Sequence, residues 1–169
     1  MTLIKNQPNE AKSGFREPDG DIFDIRRAGI PEPIVWSEKH LVGVEIIDAE
    51  HHALIDLFNS ILAVSKSHNH ADLAILLEQL GNITASHFES EETLMAQFDY
   101  AHAAQHRLDH QKLLDEFGHQ VDDWRNKHIS AELLCRFMYR WLLRHVIASD
   151  MALGEAINRH AASGVTPSS

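Results

Sequence analysis

Residues 73–98 read LAILLEQLGNITASHFESEETLMAQF. Within them Leu73, Leu76, Leu80, Ile83, His87, Glu91, Leu94 and Phe98 recur every three or four positions, the period of one face of an α-helix. An imidazole and a carboxylate therefore stand in register with leucines. Such groups cost several kcal/mol when removed from water without a partner. The stretch predicts a helix packed against neighbours with a polar pair held in the core. Because residues i and i+4 share a helix face, His87 and Glu91 can present two donor atoms to one point.

Three more stripes have the same character. One runs Ile47, His51, Leu54, Phe58, Ile61 and Val64, from a start where Asp48 is the expected cap. Another runs His102, His106, His110, Leu113, Phe117 and Trp124, and the last Leu134, Met138, Trp141, Leu142 and His145, with Asp150 beyond it. Short polar breaks at residues 67–72, 99–101 and 125–130 favour antiparallel neighbours. The expected fold is all-α: an antiparallel up-down-up-down four-helix bundle over residues 34–160. A short C-terminal helix after Asp150 reaches about His160, and residues 161–169 form a disordered tail. Residues 1–33, with Pro8, Pro18, Pro31, Pro33 and three glycines, read as a flexible N-terminal extension, in which residues 21–30 have room for one helical turn.

Composition narrows the function classes. A chain of 169 residues suits one domain with a core that needs no disulfide. The single Cys135 lies beside Leu133, Leu134, Phe137 and Met138, which suggests a buried thiol in a reducing compartment. A net charge of −10 argues against binding nucleic acid or an anionic membrane. Residues 1–10 contain no apolar run of the signal-peptide kind and no stretch approaches a membrane span, so the expected location is cytoplasmic.

His51, His87, Glu91, His106, His110, His145 and Asp150 together require a cation. They are too many for one four-coordinate zinc, and no cysteine motif accompanies them. Two ions are the natural count, and histidine with carboxylate suits iron or manganese. With the carboxylates bridging ions about 3.5–4 Å apart, five histidines divide three to two and leave one ion an open position. His145 and Asp150 are five apart, about 140° around an ideal helix, so the backbone is expected to bend, fray or bulge if both bind.

The chain resembles the hemerythrin family, nearer its bacterial branch. The likeness is carried by Trp36, Ser37 and Glu38; Gly43 and Val44; Ile47, Asp48, Ala49, Glu50 and His51 with Leu54 and Asn59. It continues through the run from His87 to Glu92 with Leu94 and Met95, then Tyr100 before His106 and His110, and Trp141 and Leu142 before the run from His145 to Asp150. The resemblance implies a non-haem di-iron centre that binds dioxygen reversibly, for storage, delivery or sensing. It assigns His106, His110 and His145 to the coordinatively full iron and His51 and His87 to the open one, with Glu91, Asp150 and an oxo or hydroxo group as bridges. Glu50 stands where the family has glutamine, Ala101 where proline commonly follows the tyrosine, and the loop before the fourth helix is longer than in invertebrate oxygen carriers.

Other readings stay open at this level. Glu50 and Glu92 adjoin ligands, and either orient an imidazole or are plain solvated carboxylates. The eight other histidines are mostly expected at the surface; His52 is the decoy beside His51, and His102/His106 is an equally spaced alternative to His106/His110. Leu54, Phe88, Trp141, Leu142 and Val146 are expected to wall the open metal position, or else simply to pack the core. Besides a dioxygen-binding non-enzyme, a di-iron enzyme acting on peroxide, nitric oxide or ferrous iron and a metal-stabilised interaction module are the alternatives. A monomer is expected, with a protein recipient of oxygen as a conceivable partner.

Overall fold

The computed structural model describes residues 31–67 and 69–163. The extension expected over residues 1–33 falls almost wholly outside them, as does the helical turn within it, and so do residues 164–169. A 3-10 turn at Glu38–His40 precedes α1 (Glu45–Ser65), α2 (His70–Gln97), α3 (Ala103–Arg125) and α4 (Ala131–Arg144). The chain then passes through a π segment, His145–Asp150, into α5 (Met151–Ala162). Helix α1 packs on α2 and α4, and α3 packs on the same two, which closes the four into a square bundle.

The helix ends follow local chemistry. Asn69 caps α2 by accepting from the Asp72 N–H, and Ser130 caps α4 by accepting from the Leu133 N–H. Asp48 is not the cap of α1. The helix starts at Glu45 after Val44, and Asp48 reaches back from the first turn to accept from the N–H groups of Val42 (2.7 Å) and Gly43 (3.1 Å). Asn59 pins the entering strand of chain, exchanging bonds with both the N–H and the carbonyl of Ile34.

The apolar stripes form the core as expected, with one shift of phase. In α2 the step after Leu80 is four residues, so Thr84 is buried and Ile83 is 37% exposed; Leu77 and Met95 are buried as well. A helix with neighbours on two sides buries a broader face than one stripe, and both i+3 and i+4 successors compete for it. The buried apolar side chains separate into a large cluster running from Ile34 to Val146 and a small one of Met95, Leu153 and Ile157. Gly154 lets α5 approach the entry segment, because a Cβ there would run into the Val42 carbonyl. Among the described residues no helix is long and apolar enough to cross a membrane.

Candidate metal centre

Three helices of the bundle and the π segment that follows α4 feed one layer between the two apolar clusters. Helix α1 supplies His51, α2 His87 and Glu91, α3 His106 and His110, and the π segment His145 and Asp150; all seven are buried. The bulge required of the last pair is the π segment itself. Its wider turn, with i to i+5 bonding, brings Asp150 Oδ1 to 3.1 Å from His145 Nε2.

Donor atoms fall into two groups, each with members within 4.8 Å of one another: Glu91 with His106, His110 and His145, and Glu91 with His51, His87 and Asp150. Glu91 belongs to both. Its Oε2 lies 3.0 Å from His110 Nε2, 3.6 Å from His145 Nε2 and 3.8 Å from His87 Nε2. Asp150 divides its oxygens, Oδ2 lying 3.0 Å from His51 Nε2 and Oδ1 3.4 Å from His106 Nε2.

Close approach here is mostly not hydrogen bonding. His87 Nε2, His106 Nε2, His145 Nε2, Glu91 Oε1 and Asp150 Oδ1 are buried with no hydrogen-bond partner. Each such atom costs about 1–3 kcal/mol when left unanswered. Cations would answer all of them, and imidazole with carboxylate is a donor set that fits iron or manganese.

Carboxylates stand behind two of the rings. Glu50 Oε2 lies 2.9 Å from His87 Nδ1 while its Oε1 accepts from the Ser90 hydroxyl at 2.7 Å, and Glu92 Oε1 lies 3.1 Å from His110 Nδ1. Accepting from Nδ1–H leaves Nε2 as the lone-pair nitrogen facing the centre. Of the two readings left open for Glu50 and Glu92, the orienting one matches these contacts.

Electrostatics in the layer are collective. Burial works to raise the Asp150 carboxyl, but the charge of His145 and contacts from His106, His51 and His87 hold it well below the usual range. Glu91 is likewise lowered, burial being outweighed by His110 and His145. Burial alone would lower His87; Asp150, Glu50 and Glu91 outweigh it and raise the imidazole to about 9. His106 is raised against its burial by Asp150 and Glu91.

The remaining histidines sort themselves by register. His52 is exposed beside Trp36, and His102 is exposed at the start of α3, so the pair in the centre is His106/His110. His40 departs from the surface placement expected of it. It is 1% exposed, stacks on Trp36 at 5.5 Å and accepts from the Ser37 N–H through Nδ1. Its signal was the i+4 spacing from Trp36. His68 lies outside the described residues.

Against His87 and His145 lies a cavity of about 10 Å³, room for the centre of one molecule of water's size. Leu54, Phe88, Trp141, Leu142 and Val146 line it, together with Thr84, which the apolar pattern of α2 does not single out. Thr84 is three residues before His87 on the same helix face, and that spacing is the signal that could have found it.

Comparison with known proteins follows the same outline. The hemerythrin HHE cation binding domain matches residues 42–157. A bacteriohemerythrin of Pseudomonas aeruginosa is 29% identical over 134 residues, 77% of this chain and 84% of that protein. Hemerythrin subunit 2 of Golfingia vulgaris is 33% identical over 121 residues, covering 72% of this chain and 90% of its own. A crystal structure of wild-type hemerythrin superposes with a TM-score of 0.68 at 23% identity, over 75% of this chain and 98% of that one.

Proposed function

The chain belongs to the hemerythrin family, and on that premise we propose that it binds dioxygen reversibly at a non-haem di-iron centre, for oxygen storage, delivery or sensing. The observation that carries this reading is the unequal division of five imidazoles, three and two, about the Glu91 carboxylate that both sets share, with a cavity lined by His87 of the smaller set and His145 of the larger. His106, His110 and His145 would hold one iron and His51 and His87 the other, with Glu91 and Asp150 between them. Two irons so held supply the two electrons that a dioxygen molecule takes up and returns.

This chain's residues do the rest. Glu50 and Glu92 fix the tautomer and direction of His87 and His110, so those rings present Nε2 without reorientation. Leu54, Phe88, Trp141, Leu142 and Val146 keep water and anions away from the side of His87 that the cavity touches. Apart from His87 and His145, which a metal would occupy, no described residue lining that cavity is a ready proton donor of the carboxylic acid or lysine kind.

The test is to reduce the iron-loaded chain without air, admit oxygen, and follow the visible spectrum through repeated deoxygenation. A charge-transfer band that appears and disappears over several cycles is expected. Prompt irreversible oxidation with turnover of peroxide would move the protein to the enzymes, and a spectrum indifferent to oxygen would leave the metal a structural part.

A further inference from the structure

We propose that the outward side of α4 is a docking surface for this chain's own residues 17–25, an acidic and apolar segment that precedes the entry into the bundle. The docking stands apart from whatever the metal centre binds.

Helix α4 is covered on a side where its partner helices do not lie. It packs on α1 and α3 and buries Leu134, Cys135, Met138, Trp141 and Leu142. Leu133, Arg136, Arg140 and Leu143 are centred about half a turn away from Leu134 and Met138 on a helix of 3.6 residues per turn. Outward positions of this kind are open to water on α3, where Gln105, Leu108, Lys112, Glu116 and His119 are all exposed. On α4 none of the four is. The Arg136 side chain keeps 13% of its accessible surface, and Arg144 is the single exposed residue between Ala131 and Arg144.

The surface has a sign. Arg136, Arg140 and Arg144 recur at i, i+4 and i+8 and so form one row, with Glu132 beside it, 3.5 Å from Arg136. In a chain of net charge −10 such a row is a local exception. Guanidinium groups are planar forks that match carboxylates. Leu133 and Leu143 flank them, so the row takes an acidic partner that also brings apolar side chains.

Residues 17–25 read EPDGDIFDI, with carboxylates at Glu17, Asp19, Asp21 and Asp24, apolar groups at Ile22, Phe23 and Ile25, and no base. The chain also enters at the right level. Ile34 exchanges hydrogen bonds with Asn59 of α1, the adjoining Phe58 ring meets Tyr139 of α4 at 6.0 Å, and the 3-10 turn that follows packs on the π segment. Entry thus runs beside both α1 and the continuation of α4, and begins near the height of Arg136 and Arg140. The stretch from Ile25 to Ile34 reaches about 30 Å when extended, and α4 is about 21 Å long, so the whole row is within range. Tethering gives this segment a higher effective concentration at α4 than any free chain carrying the same residues.

The test follows cleavage after Phe23 by dilute chymotrypsin in the full chain, each rate being divided by that of a free peptide of the same local sequence. Wild type should be cut at no more than about one tenth of the peptide rate. Reversal on the helix, Arg136→Glu with Arg140→Glu, should raise the ratio about three- to tenfold. Reversal on the segment, Asp21→Lys with Asp24→Lys, should do the same and leaves every helix residue untouched, so the test survives if the helix variant fails to fold. Combining the two reversals should bring the ratio back toward wild type, and dilution of the wild type should leave it unchanged.

Cleavage of the wild type at the peptide rate overturns the proposal and gives the row to a separate acidic partner. It is also overturned if the segment reversal leaves the ratio as it was, if a folded combined variant is cut as fast as the segment reversal alone, or if protection grows with protein concentration, which assigns the surface to a second copy.

Discussion

Phe58 and His51 stand on one stripe of α1, about two turns apart, and both are 0% exposed. Around Phe58 lie Ile61, Leu62, Leu77, Leu134 and Met138, whose burial takes apolar surface out of water at about 25 cal/mol per Å². With His51 lie His87, Glu91 and Asp150, and beyond Glu91 the imidazoles of His106, His110 and His145; their burial is unfavourable until a cation meets them. Equal dryness thus has opposite signs in adjoining slices of one bundle. The apolar slice fixes the helix spacing, and that spacing lets the polar slice be ready for metal before metal arrives.

The largest effects should separate the slices cleanly. Glu91→Ala removes the residue shared by both donor groups, and iron content after reconstitution should fall from two per chain to one or none by elemental analysis. Two equivalents retained would show that the layer does not depend on its shared carboxylate. Phe58→Ala should cost about 3–5 kcal/mol of unfolding free energy in denaturant while the folded chain still takes its full iron. Loss of iron before loss of stability would erase the division between the slices.

Smaller effects sharpen it. Glu50→Ala frees His87 Nδ1 and should weaken iron binding about 10–100-fold in chelator competition, whereas Glu50→Gln, which still offers an acceptor oxygen, should lose much less; equal losses would reduce Glu50 to a charge. In the iron-free chain, Glu91 and Asp150 are lowered from 4.5 and 3.8, so the stability they add is present above those values and is lost as pH falls through the lower folded ones. His87 is raised from 6.5 to about 9, so its contribution is whole below 6.5 and is lost as pH rises toward 9. The iron-free unfolding midpoint should therefore peak between about pH 5 and 6.5, and a flat profile would contradict the coupling. Leu142→Ala opens the cavity wall and should speed autoxidation a few-fold; an unchanged rate would remove Leu142 from the barrier.

The helices and the convergence of seven polar residues were legible in the sequence, because polar side chains in register with leucines must go into the core, where only a shared partner offsets the loss of water. The irregular pair was legible too, since five residues do not close on one α face. Other features depended on tertiary context. Ile83 and Thr84 both continue the stripe of α2, and only the positions of its neighbours decide which one is covered. His40 looked like a surface histidine because it lies in a three-residue 3-10 turn without a long periodic signal, and the Trp36 ring that shelters it comes just before that turn. Asp48 matched a capping residue by type, but the left-handed Gly43, with φ of 77°, turns two N–H groups toward it from outside the helix.

The π segment has a reach beyond the layer it completes. A turn of that kind holds one residue more than an α turn, so everything after it is rephased relative to α4. Leu153 and Ile157 meet Met95 only in that shifted phase. Deleting one residue between His145 and Asp150 would restore regular winding and swing α5 by about 100°, withdrawing Asp150 from its four imidazoles and the small apolar cluster from its partner in the same stroke.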